Sequence, residues 1–386
     1  IRFVPARKSD SVRPAIGDTA WFAVQGDEVH EVAVGPVHAG VIEPGHFRFQ
    51  CHGEKVFHLD ISLGYQHRGL ESLLAGGPHG ATIHQMEAAA GDTTIAHTTA
   101  YCQNLEALSG TDVPPRARLL RAVALELERL ANHTGDVGAI AGDVGFLPTM
   151  SFMGRIRGDY LNLMAELCGS RFGRGFVRPG GVAFDVDDER LVRIRKKLHA
   201  LQRDTFGAVE ILFDAPSVLA RLEGIGTVSR EDAVAAGLVG MAARACSISI
   251  DARLRSAFPE LKSEFLMTAH SANGDAFSRT SLRRKEIYAS LSWLQDVLTR
   301  LPRGNVCTPI GVLRKNHLAV SAVEGWRGEV VHVALTDTIG RFARYKVVDP
   351  SFLNWTGLAL SLRGQQISDF PLCNKSFNLS YCGFDL

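Results

Sequence analysis

Charge of one sign is what this sequence lacks. Its 42 Lys and Arg stand against 41 Asp and Glu over 386 residues. A net charge of +1 removes the electrostatic argument for nucleic-acid binding, which needs a basic excess to neutralise phosphates. Long apolar runs are missing too, and none approaches the roughly 18–20 residues that a transmembrane helix requires. Thiols are few and scattered. The seven cysteines, at 51, 102, 168, 246, 307, 373 and 382, form no Cys-x-x-Cys pair. A self-contained zinc or iron–sulfur site needs several soft ligands at short spacing, so no metal site is expected. The thiols read as reduced and mostly buried. Phosphate loop, dinucleotide fingerprint and serine-hydrolase elbow are all absent.

What is present is helical periodicity. After Asp112-Val113-Pro114-Pro115, Leu119, Leu120, Val123, Leu127 and Leu130 recur at helical spacing, with Arg116, Arg118, Arg121, Glu126 and Glu128 between them. Carboxylates on such a helix are read as solvated or ion-paired. Gly138 and Gly142 lie four apart, a spacing that lets two helices approach closely. Glu71 to about Ser109 is Ala-rich and helical, broken near Gly76-Gly77-Pro78, and further helices are readable at about 151–169, 187–212, 229–245 and 281–300. Two stretches have period two. Phe47, Phe49 and Cys51 alternate with polar residues and turn at Gly53-Glu54 into Phe57, Leu59 and Ile61. Val331, Val333 and Leu335 turn through Asp337–Gly340 into Phe342–Val348. The expected fold is mainly α (α+β), a helical bundle with small N- and C-terminal β-hairpins. Residues 1–34 form a lead-in, 35–65 the first hairpin region, 66–325 the helical core and 326–386 the second hairpin and tail.

Short motifs then run in a set order. They include Gly35-Pro36-Val37-His38, Glu43-Pro44-Gly45-His46, Gly64-Tyr65-Gln66-His67-Arg68-Gly69, His97-Thr98-Thr99-Ala100-Tyr101 and Glu126-Leu127-Glu128-Arg129-Leu130 with His133. Further on come Arg178-Pro179-Gly180-Gly181, Gly274-Asp275-Ala276-Phe277-Ser278-Arg279, Arg327-Gly328-Glu329 with His332, and Pro350-Ser351-Phe352-Leu353-Asn354. From about Gly35 to the last residue the chain resembles the large subunit shared by NiFe-hydrogenases and complex I. Its Glu43–His46 and Ser376-Phe377 segments look most like the membrane-bound energy-converting branch.

One departure from that family matters most. The resemblance implies two Cys-x-x-Cys pairs holding nickel and iron, because such a site needs thiolates. Counting back from His97 puts Ala90 and Thr93 at the first pair, with Glu87 and Gly91 retained and Ala88 replacing an arginine. After Ser376-Phe377-Asn378-Leu379 the second pair falls on Ser380 and Gly383. Ala90, Thr93, Ser380 and Gly383 are therefore expected to be vacated ligand positions. Cys382 is one position away, and one thiol cannot hold such a centre. Where complex I carries a quinone-contacting tyrosine in the first loop, this chain has Gly91.

The resemblance implies a peripheral subunit on the cytoplasmic side of a membrane redox complex, in an electron-transport chain linked to NAD. It implies no cofactor bound by this chain. A 4Fe-4S cluster sits in a neighbouring small subunit, faced by His67 and Arg68, and a quinone is the candidate acceptor. Other implied partners are further hydrophilic-arm subunits and antiporter-like membrane subunits that translocate ions. Two functional classes stay open. In one, a cavity between loop 87–97 and tail 374–386 takes an electron acceptor, with His38, Glu43, His46, Asp92, His97 and Ser380 as candidate lining residues. In the other, the chain is a structural and coupling subunit with no substrate.

Overall fold

Alternation between Phe47 and Ile61 builds the first sheet. A computed structural model of the chain describes residues 21–40, 42–255 and 273–386, so the start of the expected lead-in lies outside them. Strands β2 (His46–His52) and β3 (Lys55–Ser62) pair antiparallel. Phe47, Phe49 and Cys51 are buried on one face, as the period of two requires. The lead-in ends differently from expectation: β1 (Val29–Val34) pairs with β2 and completes a three-stranded sheet. Val29, Val32 and Val34 lie among polar residues on a largely exposed edge, so the apolar signal is weak there.

Helices α1 (Leu70–Leu74), α2 (Thr82–Glu87) and α3 (Thr94–Ser109) follow. Loop 88–93, between α2 and α3, carries two of the expected vacated positions. Pro115 starts α4 (Pro115–Asp143), where its missing N–H costs nothing. Beside it runs α5 (Leu147–Cys168). The close approach read from Gly138 and Gly142 is present: a Cβ at Gly138 would lie 2.8 Å from that of Met153, and one at Gly142 2.9 Å from the Met150 sulfur. A two-rung hairpin, β4 (Val177–Arg178) and β5 (Gly181–Val182), turns at Pro179-Gly180.

Next come α6 (Asp188–Phe213), α7 (Pro216–Leu222), α8 (Arg230–Ala235), α9 (Gly240–Ala245) and α10 (Ala252–Arg255). The single helix expected over 229–245 is two, because Gly237 adopts φ 68° and breaks it. Helix α11 (Ala276–Val297) is N-capped by Asp275, whose carboxylate accepts the Ser278 N–H at 2.7 Å.

The second sheet also has three strands, β6 (Leu318–Glu324), β7 (Glu329–Thr336) and β8 (Phe342–Val348), in that order and antiparallel. Strand β6 falls inside the stretch assigned to the helical core. Ala319, Ser321 and Val323 are its buried alternate positions, and small residues there gave little hydrophobic contrast. Helices α12 (Pro350–Ser361), α13 (Phe370–Phe377) and α14 (Tyr381–Asp385) close the chain. The larger core joins α3, α4, α5, α6, α11 and the second sheet. A smaller one packs the first sheet against Trp355, Leu358, Phe377, Leu379 and Tyr381. No helix among the described residues is long and apolar enough to cross a membrane.

Candidate functional site

Three pieces of backbone meet where the two cores touch: loop 88–93, the turn Gly325–Gly328 between β6 and β7, and the terminal helices. Arg327 joins them. Its guanidinium donates to both oxygens of Asp92 at 2.7 Å and to the Thr93 hydroxyl at 3.3 Å, and its Nε donates to the Asn378 carbonyl at 2.5 Å. It lies 3.9 Å over the Trp326 ring, whose N–H donates to the Asp92 carbonyl at 3.0 Å. This bidentate pair is nearly dry on the arginine side. Burial raises the Asp92 pKa, but the charge and hydrogen bonds of Arg327 outweigh it and hold the carboxyl below its ordinary value.

A second line of polar side chains begins at Asp349. As N-cap of α12 it accepts the Ser351 N–H on Oδ1 at 2.8 Å. Its Oδ2 meets His97 Nε2 at 3.0 Å, His97 Nδ1 meets His332 Nε2 at 3.1 Å, and His332 Nδ1 meets the Tyr345 hydroxyl at 3.0 Å. Asp349, His97 and His332 are wholly buried. Burial works to raise the Asp349 pKa, and the His97 hydrogen bond with the charges of His97 and Arg327 lowers it overall. Burial drives the His332 pKa well below the ordinary imidazole value, with His97 adding to the effect. Burial also pushes the Tyr345 phenol well above its usual value.

Of the expected ligand positions, Gly383 lies against Asp349 with Ser380 beside it, and none of the four carries a thiol. Ala90, Thr93, Ser380 and Gly383 are all buried. A Cβ on Gly383 would sit 2.7 Å from Asp349 Cγ and 2.9 Å from both Asp349 Oδ2 and Ser380 Oγ. No side chain fits at 383 while Asp349 holds its place. Cys382 is half-buried, 3.4 Å from the Ser380 hydroxyl. Among the described residues no three His, Cys, Asp or Glu side chains gather as metal ligands. The residues present do not fit a thiolate-held nickel–iron centre.

Of the candidate lining residues, the structure gathers Asp92, His97 and Ser380. Glu43 reaches the rim, where its carboxylate accepts the Cys382 N–H at 3.3 Å. The imidazoles of His38 and His46 are engaged elsewhere, with the carbonyls of Gly45 at 2.7 Å and Gly35 at 3.2 Å. Arg68 and His67 are exposed yet tied down. Arg68 donates to the carbonyls of Ala88 (2.5 Å), Ala89 (2.8 Å) and Cys382 (3.0 Å), stapling loop 88–93 to the tail. Asp385 accepts the N–H groups of Gly64 and Gln66 at 2.7 Å, and the His67 ring meets its carbonyl. The tail packs Phe377, Leu379 and Tyr381 into the smaller core, while Phe384 stacks on Phe352. Beside Gly91, Asp92 and Glu128 is a cavity of about 10 Å³, room for about one water.

Sequence reasoning missed Asp349, Tyr345 and Glu128 as site residues. Asp-Pro before an apolar run was a helix-start signal that pointed to Asp349. Glu128 is neither solvated nor ion-paired. It accepts the N–H groups of Ile95 (2.7 Å) and Ala96 (3.4 Å) at the start of α3, and burial pushes its pKa up to about 8. Arg327 and His332 belong to motifs already in hand, without an assigned role.

Comparison with known proteins gives the class. The family described as "Respiratory-chain NADH dehydrogenase, 49 Kd subunit" matches residues 143–315. The "Carbon monoxide-induced hydrogenase" of Rhodospirillum rubrum is 30% identical over 351 residues, 90% of this chain and 97% of that one. "Formate hydrogenlyase subunit 5" of Escherichia coli is 30% identical over 359 residues, and the match spans 92% of this chain but 63% of that protein. In three dimensions the chain is similar to one in the membrane-bound sulfane sulfur reductase, an archaeal respiratory membrane complex. The TM-score is 0.85 at 23% identity, over 93% of this chain and 99% of that one, a likeness of fold. This is a large-subunit fold of the hydrogenase and complex I type. The chain belongs to that family, as the ordered motifs implied.

Proposed function

We propose that this chain is the large subunit of a membrane-associated respiratory complex that works without a nickel–iron centre. It sits beside the iron–sulfur cluster of a small subunit and couples electron transfer to ion translocation. The carrying observation is Gly383, pressed against the buried Asp349 where a ligand thiolate would be needed. Hydrogen bonds and ion pairs of Asp92, Arg327, Asp349 and His97 occupy that region instead. Such groups hold protons and orient a polar acceptor, and a quinone-like molecule is the acceptor class we assign. The exposed His67–Arg68 face supports docking of the cluster-bearing subunit, since a cation near a cluster stabilises its reduced state. Further hydrophilic-arm subunits and antiporter-like membrane subunits complete the proposed assembly, on the cytoplasmic side.

A second reading has its own support. Phe377, Leu379 and Tyr381 pack tightly in the tail, which favours a coupling subunit that binds no substrate. Purification of the complex from native membranes separates the two. The first reading expects nickel far below one per chain, no hydrogen evolution, and reduction of a short-chain ubiquinone analogue that stops in Asp92→Ala. Nickel near one per chain overturns both. Unchanged electron transfer in Asp92→Ala with intact assembly favours the coupling role.

A further inference from the structure

The two edges of the second sheet are finished differently. At the β8 edge the chain supplies its own partners. The Phe342 N–H donates to the Gly77 carbonyl at 2.6 Å, the Gly76 N–H to the Phe342 carbonyl at 2.8 Å and the Val347 N–H to Glu71 at 3.0 Å. Arg344 and Lys346 add exposed charge there, and the pairing with β7 shifts register at Leu335 and Thr336. Such devices keep a sheet edge from pairing with another chain. Strand β6, Leu318–Glu324, has no Lys, no Pro and an unbroken register with β7. The ladder decides which groups that edge presents. At the turn Gly325 and Gly328 bond both ways, at 2.8 and 3.2 Å, and at the far end the Thr336 N–H donates to the His317 carbonyl at 2.9 Å. Hydrogen-bonded pairs therefore alternate through Val323–Val330, Ser321–His332 and Ala319–Ala334. The N–H and C=O groups of Leu318, Val320 and Ala322 point away from β7, and nothing among the described residues bonds them.

The side chains at these three positions lie on the outer face, where Leu318 is 53% and Val320 61% exposed. Beside Val320 and Ala322 runs a groove of about 550 Å³, walled by Ala107, Val113 and Ile250. Glu106 and Asp251 in its wall are paired with Arg121 and Arg253, each at 2.6 Å. Arg118 donates to the Val113 carbonyl at 3.0 Å. Asp112 and Glu329 also line the groove and form no ion pair among the described residues. We propose that β6 is a docking edge, and that an extended segment of a neighbouring subunit adds to it as a fourth strand. The free N–H and C=O groups of Leu318, Val320 and Ala322 hold its backbone. Its alternate apolar side chains cover Leu318 and Val320, and a Lys or Arg meets Asp112 or Glu329. A second copy of this chain does not fit, because two-fold pairing would set those carboxylates against their own equivalents. The proposal goes beyond the redox reading and is independent of it, since it needs a partner subunit but no acceptor.

Hydrogen exchange resolved to single amides tests the edge, on the full chain alone and on the complex from native membranes. Alone, the amides of Leu318, Val320 and Ala322 should exchange fast between slow ones at Ala319 and Ser321. In the complex the three should slow by about a hundredfold. Equal rates in the two states overturn the docking edge, and this comparison needs no variant to fold. A second measurement identifies the occupant. With p-benzoylphenylalanine in place of Val320, irradiation of the complex should join this chain to a segment of another subunit that carries Lys or Arg. A cross-link to a second copy, to residues 1–20 or 256–272 of the same chain or to a segment without Lys or Arg overturns the proposal, and so does no cross-link. Val320→Pro removes an N–H that the β6–β7 ladder does not use, so the chain should keep its fold while that subunit is lost from the complex. Val320→Lys, which sets a cation against the cationic segment, should release the same subunit if the proline variant fails to accumulate. A folded variant that retains the subunit overturns the proposal.

Discussion

Two buried polar regions lie within one core and are built from opposite materials. The first runs between α4, α9, α11 and β6. Arg129 bridges Glu126 and Glu286, each at 3.2 Å. Arg244 pairs with Glu286, with Glu324 at 2.8 Å and with Asp251 at 3.4 Å. Arg253 holds Asp251 at 2.6 Å and Glu126 at 3.5 Å. His133 closes the knot onto Glu286 at 2.8 Å. The second region is the chain from Asp349 to Tyr345. Guanidinium keeps its proton at any working pH, so the knot is a set of fixed charges that can lock helices. Imidazole both donates and accepts, so the direction of the hydrogen bonds in the second region follows from which ring nitrogen carries the proton. Burial by itself does not make a site. The chemistry of the buried donors separates a knot of fixed guanidinium charges from a line of imidazole hydrogen bonds.

Four carboxylates face three guanidiniums in the knot, and burial together with Asp251 raises the Glu324 pKa. Glu324 is the member of the knot whose charged form burial and the neighbouring Asp251 disfavour. His133 is kept neutral, because burial lowers its pKa more than Glu286 raises it.

The largest way to break the comparison is Arg244→Met. Removing one guanidinium leaves Glu286, Glu324 and Asp251 short of a partner, and losing one member of a buried pair costs about 3–5 kcal/mol. Denaturant unfolding should show that loss, or the protein should fail to accumulate. A change under 1 kcal/mol would mean that the knot holds nothing together. Next in size is Gly383→Ala at the other region. Its methyl group must displace the Asp349 carboxylate or Ser380, at roughly 1–3 kcal/mol. The His97 resonances should shift while the knot is undisturbed.

A pair of pH experiments sharpens the contrast in sign. Asp349 has a lowered folded pKa, so its contribution is present above the unfolded carboxylate range near 4 and is lost as pH falls through the folded value. Glu128 is raised to about 8, so its contribution is full below about 4 and is lost as pH rises toward 8. Asp349→Asn should flatten the acid limb of the stability profile. Glu128→Gln should flatten the slope between pH 5 and 8, at most about 1.4 kcal/mol per pH unit. Parallel profiles for wild type and Glu128→Gln would show that its carboxyl is ionised as the cap of α3. The smallest effect belongs to Arg68→Gln. Its three carbonyl contacts are at the exposed rim, so about 1 kcal/mol or less is expected. A larger loss, confined to the assembled complex, would point to a partner on that face.

Much of the architecture was legible because periodicity reports burial. The leucines from 119 to 130 and the alternation at Phe47–Cys51 and Val331–Leu335 placed the long helix and both hairpins. Periodicity was silent where small or polar residues were buried, which is why β6 with Ala319 and Ser321, and the break at Gly237, were missed. At the site, motif order led to Asp92, His97 and Ser380. His38 and His46 are not brought to that cluster. They belong to the same motifs, but each turns one ring nitrogen to a loop carbonyl, a choice that spacing cannot reveal.

By itself the sequence determined the helical class, the family, and the absence of thiol at Ala90, Thr93, Ser380 and Gly383, because side-chain identity and period are local properties. Only the tertiary structure decided which polar groups meet. His97 and His332 are 235 positions apart, and His97 and Asp349 are 252 apart. The direction of their hydrogen bonds depends on ångström-scale approach between a helix, a strand and a helix cap. Sequence order carries no record of such contacts, because closing long loops is cheap in entropy and many partners were open to each residue. Packing around Gly383 and Trp326 selected one of them.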